Sequence, residues 1–316
     1  MIRAEGVRKR YRGSGPTALD GVDLAVGQGR VCALLGGNGA GKTTLVRILS
    51  TLLRPDAGRV VVAGHDVRRA AGAVRRRVGL VGQYAALDEV LSGRQNLVLF
   101  ARLRGHATKW ASDRADELLA SFDLAQAADR AVSTYSGGMR RRLDLAVGLI
   151  DRPPVLFVDE PTTGLDPQSR RDVWTRIRTA VAAGTTVLLT TQYLDEADAL
   201  ADDVVILRDG HVIATGTPAS LKRAVGDTVV ELRLAADADV SAAAAAARDD
   251  AVGPVEASPD RRRLRVPVAG AEAVVSLCVG LTRAGVAVTD LDLRRPTLDD
   301  VFLRLHGDRE PRGETR

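Results

Sequence analysis

The sequence has 316 residues, with 45 Lys plus Arg against 40 Asp plus Glu, and 45% of its residues are apolar. This length exceeds one ordinary domain, so we expect two. Aromatic residues are only 3% of the chain and the formal charge of +5 is modest, so nucleic-acid binding is permitted but not indicated. The apolar cluster Val274–Leu281 falls far short of the roughly 18 to 20 residues that cross a bilayer, which favours a soluble, intracellular chain.

A glycine-rich loop follows the apolar run Val31–Leu35, which predicts a strand, and precedes a helix predicted over Lys42–Leu53. The loop and helix start, Gly36–Thr44, fit the phosphate-loop pattern GxxxxGK[ST] in the strand–loop–helix context that this pattern requires. Lys42 would supply a positive charge for the β- and γ-phosphates, and Thr43 an oxygen for Mg²⁺. The alternative is a glycine-rich turn with a chance Gly-Lys-Thr, and the flanking elements argue against it.

Strand patterns disappear between about residues 84 and 150, which predicts a helical insertion. Within it, Ser136 stands at an N-cap position, and Gly137 and Gly138 open a helix. A helix start of this kind is a second possible anion site, although the isolated segment would more often be a simple capped helix. The three arginines at 140–142 are expected to be charges on the helix surface near that site.

A second apolar strand, predicted at Val155–Val158, ends in two carboxylates. Placed beside the phosphate loop, Asp159 would bring an anionic oxygen close to Mg²⁺. Glu160 projects differently and could orient or deprotonate a water molecule in line with the γ-phosphate. An isolated Asp-Glu pair after a strand is usually a solvated turn, but the phosphate loop makes the functional interpretation the better one.

The next segments continue the alternation of strands and helices. The predicted elements are a helix at 168–182, a strand at 185–190, a helix at 194–201 and two strands, 204–207 and 212–215, joined by an Asp-Gly turn. This alternation predicts an α/β domain with a largely parallel sheet.

Composition shifts near Gly226, and a different order of elements follows. We predict a strand at 229–234, an alanine-rich helix at 240–248, a strand pair around 255 and at 264–268, a helix at 271–283 and a strand at 286–293. This is a βαββαβ order, typical of the split-βαβ arrangement. The alternative for the six consecutive alanines is a linker. Thr297 and Asp300 predict a capped terminal helix with Val301, Phe302 and Leu303 as its apolar anchor.

Together, the ordered motifs resemble the ATP-binding subunit of ABC transporters over roughly residues 1–220, with Ser136-Gly-Gly-Met in place of the signature usually written LSGGQ. The resemblance implies an α/β fold: a P-loop NTPase (ABC ATPase) core at 1–225 with a helical signature subdomain at about 84–150. A small C-terminal α+β domain of βαββαβ type would occupy 226–306, and residues 307–316 would form a flexible tail.

The resemblance also assigns residues to an ATP and Mg²⁺ site by position. Residues expected to contact ATP are Tyr11, Gly36, Gly37, Asn38, Gly39, Ala40, Gly41, Lys42, Thr43, Thr44, Ser136, Gly137 and Gly138. Expected metal ligands are Thr43, Gln83 and Asp159, and the expected catalytic residues are Glu160 and Gln192. Tyr11 matches the aromatic residue that stacks on adenine.

Gln192 departs from the family pattern, because a histidine usually stands there. A glutamine can donate an amide hydrogen bond to the γ-phosphate, but it cannot become an imidazolium or shuttle a proton. We therefore expect retained ATP binding with slow or partner-dependent hydrolysis.

Two segments, residues 192–198 and 296–303, are most similar to daunorubicin/doxorubicin-type drug-resistance exporters. The resemblance implies an ATP-hydrolysing subunit that powers the export of drugs or natural products through a separate membrane-spanning permease of the ABC-2 type. It also implies a head-to-tail dimer with a second copy of the chain, located at the cytoplasmic face of a bacterial cell membrane, and no nucleic-acid partner. The C-terminal module would support pairing or coupling to the permease; a terminal helix that only docks on its own domain is an alternative at least as strong.

Two alternatives to drug export remain at this stage. A soluble ABC ATPase acting on ribosomes or DNA typically has two ATPase domains in one chain or a long coiled-coil insertion, and this sequence displays neither pattern. Export of lipid or polysaccharide is the other, and the motifs hardly discriminate it from drug export.

Overall fold

The computed structural model of the chain describes residues 1–11, 17–83, 86–226, 228–235, 238–258 and 262–307. These residues form two compact units, one running from Met1 to Pro218 and the other beginning at Ala219. The finer divisions expected at residue 225 and at about 84 and 150 stay predictions. Tyr84 and the part of the expected tail from 308 onward lie outside the described residues.

The first unit is built from ten strands and seven helices within its described residues, together with 3₁₀ turns at Ala125–Ala127 and Val132–Thr134. In chain order these are β1 (Ile2–Lys9), β2 (Leu19–Val26), β3 (Val31–Leu35), α1 (Lys42–Leu49), β4 (Ala57–Val62), β5 (His65–Asp66), α2 (Ala71–Arg75), β6 (Val78–Val81), α3 (Gly93–Leu103), α4 (Thr108–Ser121), α5 (Gly137–Gly148), β7 (Val155–Asp159), α6 (Pro167–Ala182), β8 (Thr186–Thr191), α7 (Leu194–Leu200), β9 (Asp203–Arg208) and β10 (His211–Gly216).

A six-stranded sheet in the order β10-β9-β3-β8-β7-β6 carries the site. Five of its strands pair in parallel, and β10 pairs antiparallel with β9 across the predicted turn. Every residue of β3, β7 and β8 is buried, as expected for parallel strands covered on both faces. The predicted α/β fold with a largely parallel sheet is confirmed.

Four neighbouring strands of this sheet end where the predicted site residues begin. The phosphate loop follows β3, Gln192 follows β8, Glu160 follows β7, and Gln83 lies shortly after β6. Because parallel strands have their carboxyl ends at one edge of the sheet, the fold gathers these segments there.

A smaller antiparallel sheet, β2-β1-β4-β5, contributes the start of the chain to the same region. Buried and exposed positions alternate along β2, since only one face packs on the core. Tyr11 lies two residues after the end of β1. A backbone hydrogen bond of 2.9 Å from Ala18 N to Lys9 O joins the last residue of β1 to the residue before β2.

Helix α1 is shorter than predicted, because it ends at Leu49 and not at Leu53. Thr51 has a φ of 67°, which is left-handed and stops the helix. The backbone N–H groups of Leu52 and Leu53 then donate to the carbonyl of Arg47 at 2.8 and 3.0 Å, which satisfies that carbonyl at the helix end.

The predicted helical insertion is also observed, since residues 86–150 contain α3, α4, α5 and the two 3₁₀ turns but no named strand. A capping box starts α3: the Ser92 side chain accepts from Gln95 N, and the Gln95 side chain accepts from Ser92 N. No helix within the described ranges has the length and apolar character that would let it cross a membrane.

In the second unit, the described elements are α8 (Pro218–Val225), which spans its beginning, β11 (Thr228–Leu234), α9 (Val240–Ala247), β12 (Glu256–Ala257), β13 (Arg263–Val268), α10 (Ala271–Arg283), β14 (Val288–Arg294) and α11 (Leu298–Gly307). Its antiparallel sheet has the order β12-β13-β11-β14, which is the split-βαβ arrangement predicted. The six alanines lie in α9 and not in a linker. Ala243 and Ala247 are fully buried in the core of this unit.

Helix α11 begins as predicted, but one residue of its expected anchor is exposed. Asp300 N donates to Thr297 Oγ1 at 3.2 Å, and Thr297 N donates to Asp300 Oδ2 at 2.8 Å, so the capping box is present. The buried side chains are Leu298 and Val301, three residues apart on one helix face, whereas Leu303 is 69% exposed. The prediction for Leu303 is wrong because Leu303 lies off that face.

Candidate functional site

The phosphate loop leaves β3 and turns into α1 through backbone positions that need glycine. Gly41 has a φ of 106°, and a Cβ there would lie 2.5 Å from the carbonyl oxygen of Ala18. A Cβ on Gly36 would lie 2.3 Å from the carbonyl oxygen of Leu207. Both glycines therefore let the loop approach neighbouring backbone closely, as a phosphate-binding loop requires.

Lys42, the first residue of α1, points its ammonium group into the loop. Its Nζ donates to the carbonyl oxygens of Gly36 at 2.8 Å and Gly37 at 3.1 Å. The same Nζ lies 3.5 Å from Glu160 Oε1, and both side chains are largely buried. The ammonium is thus held between the loop backbone and the carboxylate at the end of β7.

Asp159 is buried at the end of β7, where two hydroxyl groups meet its carboxylate. Thr43 Oγ1 donates to Asp159 Oδ1 at 3.3 Å, and Thr190 Oγ1 donates to the same oxygen. Oxygen ligands of this kind suit Mg²⁺. No group of three or more His, Cys, Asp or Glu able to hold a metal occurs among the described residues. A protein site with one carboxylate and one hydroxyl fits an ion that takes its other ligands from phosphate and water.

Glu160 adopts a backbone conformation that is unusual for a residue with a side chain. Its φ is 48°, and its N–H donates to both the carbonyl and the hydroxyl oxygen of Thr190, at 3.1 and 3.0 Å. Gln83 Nε2 donates to Glu160 Oε2 at 3.4 Å, and the Thr163 hydroxyl donates to the same oxygen at 3.5 Å. Such a costly conformation persists only where the surroundings enforce it, as at sites that must aim a functional group.

A cavity of about 370 Å³ lies over these groups. It is lined by Tyr11, Ala18, Gly37, Asn38, Gly39, Ala40, Gly41, Lys42, Thr43, Thr44, Gln83 and Glu160. Tyr11 is 46% exposed, and its hydroxyl lies 3.2 Å from Thr44 Oγ1. A larger cavity of about 820 Å³ beside His106 and Trp110 has no lining residue in common with the phosphate loop. The convergence of phosphate-binding and carboxylate groups, and not volume, identifies the site.

Four predicted ATP contacts and one predicted catalytic residue do not line this cavity. One of them, Gly36, is the first residue of the loop, directly before the lining residue Gly37. Ser136 and Gly137 are exposed at the start of α5, where Ser136 Oγ caps the helix by accepting from Met139 N at 3.2 Å. Gly138 is buried, and a Cβ on it would lie 2.4 Å from Ser169 Oγ. Gln192 is exposed just after β8. In one chain, the signature segment and Gln192 are thus separate from the phosphate-loop cavity.

The expectation that Arg140, Arg141 and Arg142 are all surface charges is wrong for Arg141. Its guanidinium is buried and donates to backbone carbonyls near Glu160 and Gln83, and it pairs with the buried Asp144. Burial lowers the pKa of Arg141 and raises the pKa of Asp144 to about 6. The sequence did contain one signal, an aspartate three residues after the arginine on the same helix.

Glu196 is a second buried carboxylate that the motifs did not reveal. Trp174 Nε1 donates to its Oε1 at 3.0 Å, and burial raises the pKa of the carboxyl group. Glu196 lies on α7, which begins two residues after Gln192, so its buried hydrogen bond to Trp174 anchors that helix.

Comparisons with known proteins extend over both units. The family model described as ABC transporter matches residues 19–163, and the model described as ATP-binding protein DrrA1-3-like, C-terminal domain, matches residues 216–305. The chain is 54% identical to the daunorubicin resistance ATP-binding protein DrrA3 of Streptomyces coeruleorubidus, over 97% of this chain and 96% of that protein.

Two further likenesses are restricted to part of the chain. Nod factor export ATP-binding protein I of Ralstonia nicotianae is 42% identical over 73% of this chain and 72% of that protein. The dimeric structure of a post-hydrolysis state of the ATP-binding cassette MJ0796 bound to ADP and Pi has a TM-score of 0.63 and 25% identity, and the match covers 69% of this chain and 98% of that one.

These matches confirm both resemblances drawn from the motifs: the one to the ATP-binding subunits of ABC transporters, and the one to the drug-resistance type. Similarity to DrrA3 at 54% identity over nearly the whole of both chains is far beyond what a shared fold alone would give. The chain therefore belongs to the ABC transporter ATP-binding proteins, which are ATPases, and within them to the relatives of the daunorubicin and doxorubicin resistance proteins.

Proposed function

We propose that this chain hydrolyses MgATP in the cavity around the phosphate loop. The observation that carries the proposal is the distance of 3.5 Å between Lys42 Nζ and Glu160 Oε1, which brings a positive charge and a carboxylate side by side in the lining of one cavity. Phosphate oxygens would be bound by the backbone N–H groups of the loop and by Lys42. Tyr11 would stack on adenine, for which its exposed ring is available.

Thr43, Asp159 and Gln83 would hold Mg²⁺ beside the β- and γ-phosphates. When bound, Mg²⁺ would act as a Lewis acid that neutralises charge on the phosphate oxygens. Glu160, aimed by its strained backbone, would orient the attacking water and accept its proton. Gln192 would donate an amide hydrogen bond to the γ-phosphate, and because it cannot carry a proton, we expect slow hydrolysis without a partner.

A second copy of the chain would complete each ATP site. Ser136 and Gly137 are exposed at a helix start and do not line the cavity of their own chain, so they are free to meet the γ-phosphate bound by another copy. A head-to-tail dimer would place the Ser136–Gly138 segment of one copy over the phosphate loop of the other. The dimeric MJ0796 cassette is a precedent for pairing in this fold.

The transport role that we propose is to power the export of drugs or natural products through a separate permease of the ABC-2 type at the cytoplasmic face of a bacterial membrane. Relatives named for daunorubicin resistance match nearly all of this chain, including its second unit. The Nod factor export relative matches only 73% of it. This difference favours drug export over the alternative of lipid or polysaccharide export.

Hydrolysis and pairing can be tested together with Glu160→Gln in the full-length protein. We expect the variant to bind ATP normally, to release phosphate at least about 100-fold more slowly than wild type, and to accumulate as a dimer with ATP and Mg²⁺ in size-exclusion chromatography with light scattering. Glu272→Gln, on the exposed side of α10, is the matched control and should behave as wild type. Normal phosphate release by Glu160→Gln would contradict the role given to Glu160.

The partner can be identified by purifying the tagged full-length chain from its native membranes. We expect an integral membrane protein with about six helices to co-purify, since transport needs a span that the described helices lack. Ribosomal or DNA-bound material without a membrane protein would instead support the soluble ABC ATPase.

A further inference from the structure

One guanidinium group, that of Arg141 on α5, holds the backbone on both sides of Glu160. Its Nη2 donates to the carbonyl oxygen of Asp159 at 2.9 Å, and its Nε donates to the carbonyl oxygen of Pro161 at 2.7 Å. The residue is 8% exposed. A planar, rigid group with two directed donors therefore fixes the residue before and the residue after the water-activating carboxylate.

The same side chain also reaches the segment that carries Gln83. Arg141 Nη1 donates to the carbonyl oxygen of Gly82 at 2.7 Å and lies 3.2 Å from Asp144 Oδ2. Asp144 in turn accepts a hydrogen bond from the backbone N–H of Ala86. The Arg141–Asp144 pair is thus bonded to the backbone on either side of Gln83, while the Gln83 side chain contacts Glu160.

A buried arginine that only stabilised the fold would not need to bind carbonyls next to Glu160 and Gln83. Arg114 on α4 is buried to a similar degree, at 9% exposed, and it also holds two backbone carbonyls, those of Leu149 and Ile150, and pairs with a carboxylate, Glu117. Those two carbonyls follow the end of α5 that is far from the signature, and Glu117 lies on α4 itself. Each of the three carbonyls held by Arg141, by contrast, belongs to a residue directly next to Glu160 or Gln83.

Helix α5 also begins with the signature segment, Ser136–Gly138, so Arg141 lies about one turn into the helix that would meet the ATP of a second copy. We propose that Arg141 and Asp144 form a positioning pair that keeps Glu160 and Gln83 in fixed geometry relative to the signature helix, and that hydrolysis depends on this geometry. The inference rests on the proposed function of Glu160 and Gln83. None of the described bonds of the pair reaches the phosphate loop, so its loss should affect hydrolysis more than ATP binding.

Three full-length variants separate positioning from stability. Arg141→Gln removes most of the bonds. Arg141→Lys keeps the charge beside Asp144 but has one nitrogen, which cannot serve carbonyls of Gly82, Asp159 and Pro161 at once. Arg114→Gln is the matched control, because it also removes a buried arginine that holds two carbonyls. Each is assayed for thermal midpoint, KM for ATP, kcat and hydrogen–deuterium exchange without nucleotide.

We expect kcat to fall at least about tenfold in both Arg141 variants, because a small displacement of a catalytic group slows the reaction strongly. KM for ATP should stay within about threefold of wild type. Exchange should rise in the peptides that contain Gln83 and Glu160. Arg114→Gln should lower the thermal midpoint without either effect. If Arg141→Gln does not fold, Arg141→Lys alone decides, since it keeps the buried charge pair.

Two kinetic results would overturn the proposal: a kcat for Arg141→Lys equal to that of wild type, or equal losses of kcat in Arg141→Lys and Arg114→Gln. The exchange measurement needs no ATP hydrolysis, so it distinguishes this inference from the proposed function. Wild-type protein without ATPase activity would count against the proposed function. Unchanged exchange around Gln83 and Glu160 in Arg141→Lys would count against the positioning pair.

Discussion

The two units differ in what their interiors contain. Charged side chains are buried in the first unit, namely those of Lys42, Arg114, Arg141, Asp144, Asp159 and Glu196. Among the described residues of the second unit, every buried side chain is apolar, and its ion pairs, such as Glu231 with Arg265 and Arg294, lie on an exposed face of the sheet. Burying a charge costs free energy unless the charge is paired or hydrogen-bonded, so the first unit bears a cost at the candidate site and at its supporting pairs that the apolar interior of the second unit does not bear.

The largest effect that tests this contrast is on the stability of the second unit. Leu264 is fully buried there, and Leu264→Ala should cost about 3 kcal/mol of unfolding free energy for that unit through lost burial and a cavity. Both tryptophans, Trp110 and Trp174, lie in the first unit. Urea unfolding followed by tryptophan fluorescence should therefore stay unchanged, while circular dichroism shows an earlier transition. We expect the Kd for ATP to stay unchanged, and an altered Kd would show that the ATP site depends on the second unit.

A smaller effect concerns the free-energy cost of burying a charge in the first unit, which can be measured at Asp144. The pKa of this carboxyl group is about 6 in the folded protein against an ordinary value of 3.8, mainly because of burial. Between pH 4 and 6 the folded chain therefore holds a proton that the unfolded chain has released, so stability falls as pH rises through this window. Relative to Asp144→Asn, wild-type protein should lose about 2 kcal/mol between pH 4 and pH 6.5 in denaturant titrations. Parallel pH profiles for the two proteins would contradict this assignment.

The smallest effect that we predict lies at Gln192, an exposed residue of the first unit. Gln192→His should raise the basal rate of ATP hydrolysis several-fold, by about 1 kcal/mol of activation free energy, because an imidazole can bind the γ-phosphate and also accept a proton. Gln192→Ala should lower the rate of hydrolysis without changing ATP affinity, and Gln168→Ala, on α6, serves as the control. Equal rates for all four proteins, wild type included, would remove Gln192 from the mechanism.

The phosphate loop, Asp159 and Glu160 could be predicted because their chemistry is local: the spacing of glycines, a lysine and a hydroxyl specifies a backbone shape, and a strand delivers the carboxylates to a known edge. Burial is not local in the same way. Three adjacent arginines look alike in sequence, and only the packing of α5 against the ends of β6 and β7 makes Arg141 an interior residue. Thr190, whose hydroxyl bonds both to Asp159 and to the N–H of Glu160, was missed for the same reason.

A backbone conformation with a positive φ was a second source of error in the predicted helix bounds. The helix predicted to Leu53 stops at Leu49 because a threonine adopts a left-handed conformation, which its side chain disfavours and which no glycine announces. In the second unit, β11 and β13 alternate between buried and exposed positions, and α9 and α11 begin at side-chain caps that the sequence displays, so these four elements could be predicted.

The contrast between the two cysteines decides how the protein can be labelled. Cys32 is buried in β3 beneath the phosphate loop, and burial raises the pKa of its thiol to about 12, so almost no reactive thiolate exists near neutral pH. Cys278 on α10 is only partly buried. A maleimide dye should therefore attach to the second unit alone, which allows that unit to be followed by fluorescence in the full-length protein without engineered cysteines.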